Sequence, residues 1–283
     1  MTGLSAGDLE RLKTIAARIR RKSLVLIFNR GSGHPGGSLS CADILAVLYG
    51  GYMYVDPARP DMRGRDHFVL CKGHASMALY AALSEAGFLP DDITSLPPDH
   101  QYLQGHPDRW KTPGVEMSTG SLGQGLSVAL GMALAARLDG CGGRVFALLG
   151  DGELDEGQVW EAAMAAANYR VDNLVAIVDR NGLQIMGRTG EVMETEPLSA
   201  KWSAFGWNVV EVDGNDPGAV WEALDLARSV TGRPSVLLAK TVKGKGVSFM
   251  EGRPEWHAKA ISASELERAL AELESREKGG GCE

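Results

Sequence analysis

The chain has 283 residues, enough for one large α/β domain or two small ones with a substantial core. Its 44% hydrophobic and 23% charged residues are the proportions of a soluble globular protein. A formal net charge of −7 excludes nucleic acid as the main partner, though not small anions, because an acidic protein can still carry a basic site.

Residues 8–29 place Leu9, Leu12, Ile15, Ala16 and Ile19 at helical spacing, with basic residues between them, and predict an amphipathic helix. A short strand, HFVLC (67–71), leads into a helix within KGHASMALYAALSEAG that Gly87 closes. VEMSTG (115–120) feeds a small-residue helix, LGQGLSVALGMALAARLDG, suited to close packing. There follow strand RVFALLG, helix 156–170, strand NLVAIVD, helix 196–205, strand WNVVEVDG, helix 217–230 and strand SVLLAKTV. Strands alternating with helices, several of them continuously apolar, predict an α/β fold: a predominantly parallel sheet with helices on both faces. No internal repeat or linker divides it, so the expectation is one domain, with only the tail SREKGGGCE frayed.

Cys41, Cys71, Cys141 and Cys282 are scattered without metal spacing and read as free thiols of a reducing compartment. The first residues, MTGLSAGDLERLK, lack an apolar signal core, and no apolar run approaches the ~18 residues of a membrane span. These features place the protein in the cytoplasm, with no membrane partner.

Ligands of parallel sheets bind beyond the carboxyl ends of the strands. One such end reads LLGDGELDEG (148–157), which concentrates Asp151, Glu153, Asp155 and Glu156 on a glycine turn. Gly150 and Gly152 allow the backbone to approach a diphosphate closely, and the next helix N-terminus favours an anion. After 28 residues, one helix-plus-strand unit, the chain reaches Asn181 in IVDRNGLQI. Asp151 and Asn181 then stand at neighbouring strand ends. A carboxylate, an amide oxygen and a nearby carbonyl, with room for phosphate oxygens, suit Mg²⁺. Taken alone, Gly-Asp-Gly is more often a capped turn than a metal site. Of six histidines, His34, His74 and His106 follow glycine at loop or strand-end positions, whereas a lone histidine is more often structural.

Gly-Asp-Gly followed by Asn at this separation resembles the thiamine diphosphate fingerprint. GSGHPGGSLS (31–40), CKGHASMALYAAL (71–83), LQGHPD (103–108), TPGVEMSTGSLGQGLSVALGMALA (112–135) and WHAKA (256–260) resemble successive blocks of the transketolases. The closest form is the amino-terminal, diphosphate-binding subunit of a split transketolase. This resemblance implies the thiamine diphosphate-binding (PP-type) fold, with thiamine diphosphate and Mg²⁺ as cofactors and Ca²⁺ or Mn²⁺ as substitutes. It implies a metal site of Asp151, Asn181 and the Leu183 carbonyl, on the turn Gly150, Asp151, Gly152 and Glu153. His74 and His257 resemble residues that contact the diphosphate, and Gly120 and Leu122 resemble positions beside the cofactor rings. His34 and His106 resemble residues that face the sugar.

Glu156 and Glu161 match acids between the two sites of a dimer, part of a proton network; Glu156 equally reads as an acid complementing a helix dipole. Lys243 and Lys245 are candidates to neutralise phosphate, or else form a solvated basic loop. His67 and His100 match no family histidine, and the tryptophans read as core or interface residues. Departures are Cys71 where Ser is usual, Asp155 where Gln is usual and Met186 where Asp is common; none removes a ligand.

In transketolases the glutamate that activates the cofactor lies in a pyrimidine-binding domain, and this chain ends before it. The resemblance therefore implies half an active site, completed by a C-terminal subunit in an α2β2 assembly. The activity implied is transfer of a two-carbon ketol unit from a ketose, or ketose phosphate, to an aldose. Other readings are a 2-oxo acid decarboxylating subunit, a deoxyxylulose phosphate synthase or a non-catalytic homologue. A Rossmann dehydrogenase lacks its G-x-G-x-x-G.

Overall fold

In the computed structural model, which describes residues 4–185 and 187–279, five strands form one parallel sheet. Met186 and the tail from 280 onward, with Cys282, lie outside the described residues. The strands are β1 (His67–Leu70), β2 (Val145–Gly150), β3 (Leu174–Arg180), β6 (Asn208–Asp213) and β7 (Ser235–Lys240). A small antiparallel pair, β4 (Leu183–Gln184) and β5 (Gly187–Arg188), follows β3. The sheet order is β1-β2-β3-β7-β6, every pairing parallel.

Alternation along each strand divides the core in two. Phe68, Leu70, Phe146, Leu148, Val175, Ile177 and Leu237 face one layer, formed by α1 (Ala6–Arg30), α3 (Ala42–Val47), α4 (Ser76–Glu85) and α9 (Pro217–Ser229). Val69, Val145, Ala147, Leu149, Ala176, Val178 and Leu238 face the other, formed by α5 (Gln124–Leu138), α6 (Gly157–Asn168) and α8 (Leu198–Ala204). The β2–β3 and β6–β7 connections thus lie on opposite faces, which opens a crevice at the carboxyl ends near β3 and β7.

Local chemistry sets the helix boundaries. Ser5 caps α1, its hydroxyl accepting from Asp8 N at 3.1 Å, and Gly31 ends it at φ +71°. Asp216 caps α9, with Pro217 in its first turn. The predicted 196–205 helix begins instead at Leu198, after Pro197.

Three helices escape the periodicity. α2 (Pro35–Ser40), which starts within the GHPGG block, and α3, which follows it, are buried all round, so no polar face marks them. The third, α10 (Ala263–Gly279), continues into the segment expected to fray. A short α7 (Thr189–Val192) follows β5.

Trp160 of α6, Trp202 of α8 and Trp207 form a cluster with ring centroids 5.2 and 4.8 Å apart, and Phe205 stacks on Trp160. The Trp160 indole N–H donates to the Leu154 carbonyl at 2.9 Å, tying this cluster to the turn after β2. Among the described residues, no helix is long and apolar enough to cross a membrane.

Candidate active site

Four strand ends converge. Lys72 follows β1, Asp151 follows β2, Asp179 and Asn181 close β3, and Thr241 and Lys243 follow β7. A cavity of about 250 Å³ opens over them, lined by residues that include Lys72, Asp151, Asn181, Leu183, Lys243 and His257.

Its floor is a buried ion pair. Lys72 and Asp179 are 1% and 0% exposed and directly paired. The Lys72 ammonium also donates to the Gly37 carbonyl at 2.9 Å, and the Ser40 hydroxyl (2.6 Å) and the Thr241 hydroxyl donate to Asp179. Burial alone raises a carboxyl's pKa, but here Lys72 and the two hydroxyls outweigh it and hold Asp179 below the usual range. This brace joins β1, β3, β7 and α2. Sequence reasoning passed over Lys72; its signal was a lysine immediately beyond an apolar strand.

Asp151 lies beside this floor. Its carboxylate accepts from Gly152 N (2.9 Å) and Gly182 N (2.5 Å), so the turns after β2 and β3 are locked together. Burial and the neighbouring Asp179 charge nevertheless push its pKa to about 6. Asn181 Oδ1 accepts from Leu183 N at 3.2 Å, and the Leu183 carbonyl accepts from the Lys243 ammonium at 3.1 Å.

The donor chemistry fits a hard cation. Carboxylate, amide and carbonyl oxygens line one cavity, and an ammonium already rests on the carbonyl. Among the described residues no cluster of three or more His, Cys, Asp or Glu is placed to hold a metal. A cation here needs amide, carbonyl and ligand oxygens, which is how Mg²⁺ is bound.

Glu153 lines the cavity but is already committed. Its two oxygens accept from Gly123 N (3.0 Å) and Gly150 N (3.1 Å), and burial raises its pKa to about 7. It braces two loops rather than offering its oxygens to a diphosphate. Gly150, Gly152 and Leu122 line the same cavity. At Gly152 a Cβ would stand 2.5 Å from Gln184 Oε1, so a side chain there would have to displace Gln184.

Four histidines meet beside the cavity. The His34 ring lies 5.2 Å from His74, 5.5 Å from His257 and 6.4 Å from His106, and His74 lies 5.3 Å from His257. Burial, reinforced by neighbouring cations, depresses three of them: His34 to about 4, His257 to about 3 and His74 well below its ordinary value. These imidazoles are therefore neutral at pH 7. His257 Nδ1 lies 3.1 Å from the Lys243 ammonium, whose pKa burial and Lys72 bring down to about 8.

His34, His74 and His106 also line an adjoining cavity of about 430 Å³. Gly120, at φ +139°, lies beneath His106: a Cβ there would stand 2.8 Å from the ring.

Several expected residues fall elsewhere. Lys245 does not join Lys243; it lines a separate cleft of about 550 Å³ with Arg180 and Lys240, because the turn after Val242 sends alternate lysines to different sides. Glu156 and Glu161 are exposed at the start of α6 and outside both cavities. His67 pairs with Glu116 at 3.2 Å and His100 packs on Tyr102, both away from the cluster. Ile185 and Val192, 68% and 45% exposed, rim the cavity over the strand ends and were not anticipated.

Residues 12–276 match the family described as transketolase, thiamine diphosphate binding domain. The chain belongs to the transketolase family. It is 45% identical over 275 residues to an apulose-4-phosphate transketolase subunit of Actinobacillus succinogenes, covering 95% of this chain and 97% of that one. It is also 45% identical over 257 residues to a 6-deoxy-6-sulfo-D-fructose transketolase subunit of a Clostridium species, covering 90% and 94%. Among solved structures, transketolase from Leishmania mexicana superposes with a TM-score of 0.86 at 31% identity, over 93% of this chain and 41% of that one. The transketolase assignment agrees with the parallel sheet and with the thiamine diphosphate-binding domain read from the motifs; these matches favour none of the alternative enzyme classes.

Proposed function

We propose that this chain is the diphosphate-binding half of a split transketolase. It works as two copies with two copies of a partner that supplies the pyrimidine-binding domain and its glutamate. The observation that carries this reading is the pairing of an oxygen-lined cation site with a cavity bordered by neutral histidines, at the strand ends of a transketolase-type sheet. The split arrangement is supported by relatives of matching length that are named as subunits, and by the exposed apolar rim of Ile185 and Val192.

Bound thiamine diphosphate supplies the electron sink for moving a two-carbon ketol unit from a ketose to an aldose. Asp151, Asn181 and the Leu183 carbonyl hold Mg²⁺, with Ca²⁺ or Mn²⁺ as substitutes. Gly150 and Gly152 leave bare backbone for the diphosphate, with Lys243, His74 and His257 facing it. Leu122 borders the cofactor rings, and Gly120 keeps His106 in place beside them.

His34 and His106 serve the sugar. The neutral His34 imidazole both donates and accepts hydrogen bonds, so it can hold a proton at a sugar hydroxyl or carbonyl oxygen as charge moves. Glu156 and Glu161 face the assembly rather than the cavity. Free thiols at Cys41, Cys71 and Cys141 suit the cytoplasm.

Calorimetry with thiamine diphosphate and Mg²⁺ tests the cofactor site. Asp151→Ala is expected to abolish binding while the circular dichroism spectrum is retained, and undiminished binding refutes the assignment. Ketol transfer should require the partner, so robust transfer by this chain alone refutes the half-site.

A further inference from the structure

We infer that the loop following His106 roofs a second ligand site, a cavity of about 200 Å³ that takes a small apolar carboxylate and, when filled, resets the position of His106. The site itself stands apart from the proposed catalysis. Only its consequence for the sugar rests on the role given to His106 above.

Residues 108–118 form an Ω-loop, a surface loop whose two ends lie close together. At its neck the Thr119 N–H donates to the Pro107 carbonyl at 3.3 Å, and the Arg109 N–H donates to the Ser118 hydroxyl at 3.1 Å. His106 precedes this neck and Gly120 follows it, with Gly120 packed under the His106 ring. A displacement of the loop is therefore felt at both. Further along, Gly114 lies against Leu83 and Phe88, and Glu116 pairs with Arg65 and His67 at the start of β1. The cavity lies between this loop, β1 and the turn after α3, and shares no lining residue with the two cavities of the candidate active site.

Tyr49, Met53, Val55, Phe68, Phe88 and Val115 give it apolar walls. An apolar protein cavity of ~150 Å³ admits a benzene ring, so this one has room for a ring and a short polar tail. Four charged side chains line it, and three are already answered. Asp66 accepts from Tyr54 N and Arg144 N, both at 2.9 Å, and Glu116 and Arg65 answer each other. The fourth, Arg109, has no carboxylate partner among the described residues; its guanidinium lies over the exposed Trp110 ring, 4.9 Å from the centroid. The Tyr49 hydroxyl, near Glu116 and Arg65, makes no hydrogen bond among the described residues. Two open donors above apolar walls call for a ligand that is apolar at one end and an acceptor at the other. A guanidinium meets a carboxylate with two parallel bonds. The competing role, a packing gap where the loop crosses the end of β1, requires neither a preference for charge nor any link to His106.

The test titrates the full chain with benzoate, and with benzamide as its neutral counterpart, by calorimetry and by nuclear magnetic resonance. Benzoate is expected to bind about tenfold more tightly than benzamide. Arg109→Gln should remove that difference and leave benzamide binding unchanged. Val55→Phe, which fills the cavity, should abolish binding of both; if that variant fails to fold, Arg109→Gln, at an exposed position, still decides. Benzoate should shift the Trp110 indole N–H resonance as Arg109 leaves the ring, and the His106 ring resonances should follow with the same midpoint. Equal affinity for the two probes, or benzoate binding undiminished in Arg109→Gln, overturns the site. A shift at Trp110 with none at His106 overturns the coupling. These readouts need no turnover, so they hold even if ketol transfer is never observed.

Discussion

Lys72→Met removes the ammonium from the floor of the cavity over the strand ends while nearly preserving the side chain's volume. Asp179 would remain buried, with the Ser40 and Thr241 hydroxyls still donating but no positive charge beside it, and the Gly37 carbonyl would lose its ammonium donor. Breaking one side of a buried ion pair costs about 3–5 kcal/mol, because the remaining charge is left uncompensated. The two surviving hydroxyl donors place this case near the lower end, about 3 kcal/mol. Adding Asp179→Asn removes the stranded charge and leaves an amide oxygen for one hydroxyl and an NH2 that the other can turn to accept, so the double variant should regain about 1–2 kcal/mol. Urea unfolding of the isolated chain, followed by far-ultraviolet circular dichroism, measures both. A single variant within about 1 kcal/mol of wild type, or a double variant no more stable than the single, refutes the brace.

The neutral histidines give the chain an acid sensitivity of defined sign. Folding depresses the pKa values of His34, His74 and His257, so below about 6.5 the unfolded chain takes up protons first and stability falls toward pH 4. The imidazole proton resonances of His34, His74 and His257 in the folded protein should show no titration near 6.5, and a midpoint there for His34 contradicts the burial argument. Gly120→Ala forces a side chain into a glycine conformation and against the His106 ring. In the assembled enzyme it should lower kcat/KM for the sugar by about tenfold or more while thiamine diphosphate affinity, read by calorimetry, changes little. Equal loss of both places His106 with the cofactor instead.

The central strands were plain in the sequence because a parallel sheet covered on both faces needs unbroken apolar runs, as in Val145–Leu149 and Leu174–Val178. The pairing of β2 with β3 explains why Asp151 and Asn181 come together: Gly150 lies opposite Asp179, so the next residues emerge side by side. Hidden elements failed for identifiable reasons. α2 and α3 are buried on every side, and α2 carries two glycines, leaving no period of 3.6 to detect. α10 did carry a signal: the Ser262 hydroxyl and the Glu265 carboxylate cap each other's backbone N–H groups, the Ser-x-x-Glu box. Lys72 and Glu153 were harder to read, because each acts through a partner far away in the chain, Asp179 in one case and Gly123 in the other.

The tryptophan cluster gives the chain an intrinsic optical reporter. Trp160 bonds the Leu154 carbonyl, and Leu154 belongs to the turn that begins at Gly152, next to Asp151. Trp202 and Trp207 pack beyond it within coupling distance, so the three indoles absorb and emit as a group. Any rearrangement of the turn as the cofactor site fills alters the environment of Trp160 and the coupling of the trio. Loading can therefore be followed by fluorescence, or by the indole circular dichroism band, with no label added and no substitution made.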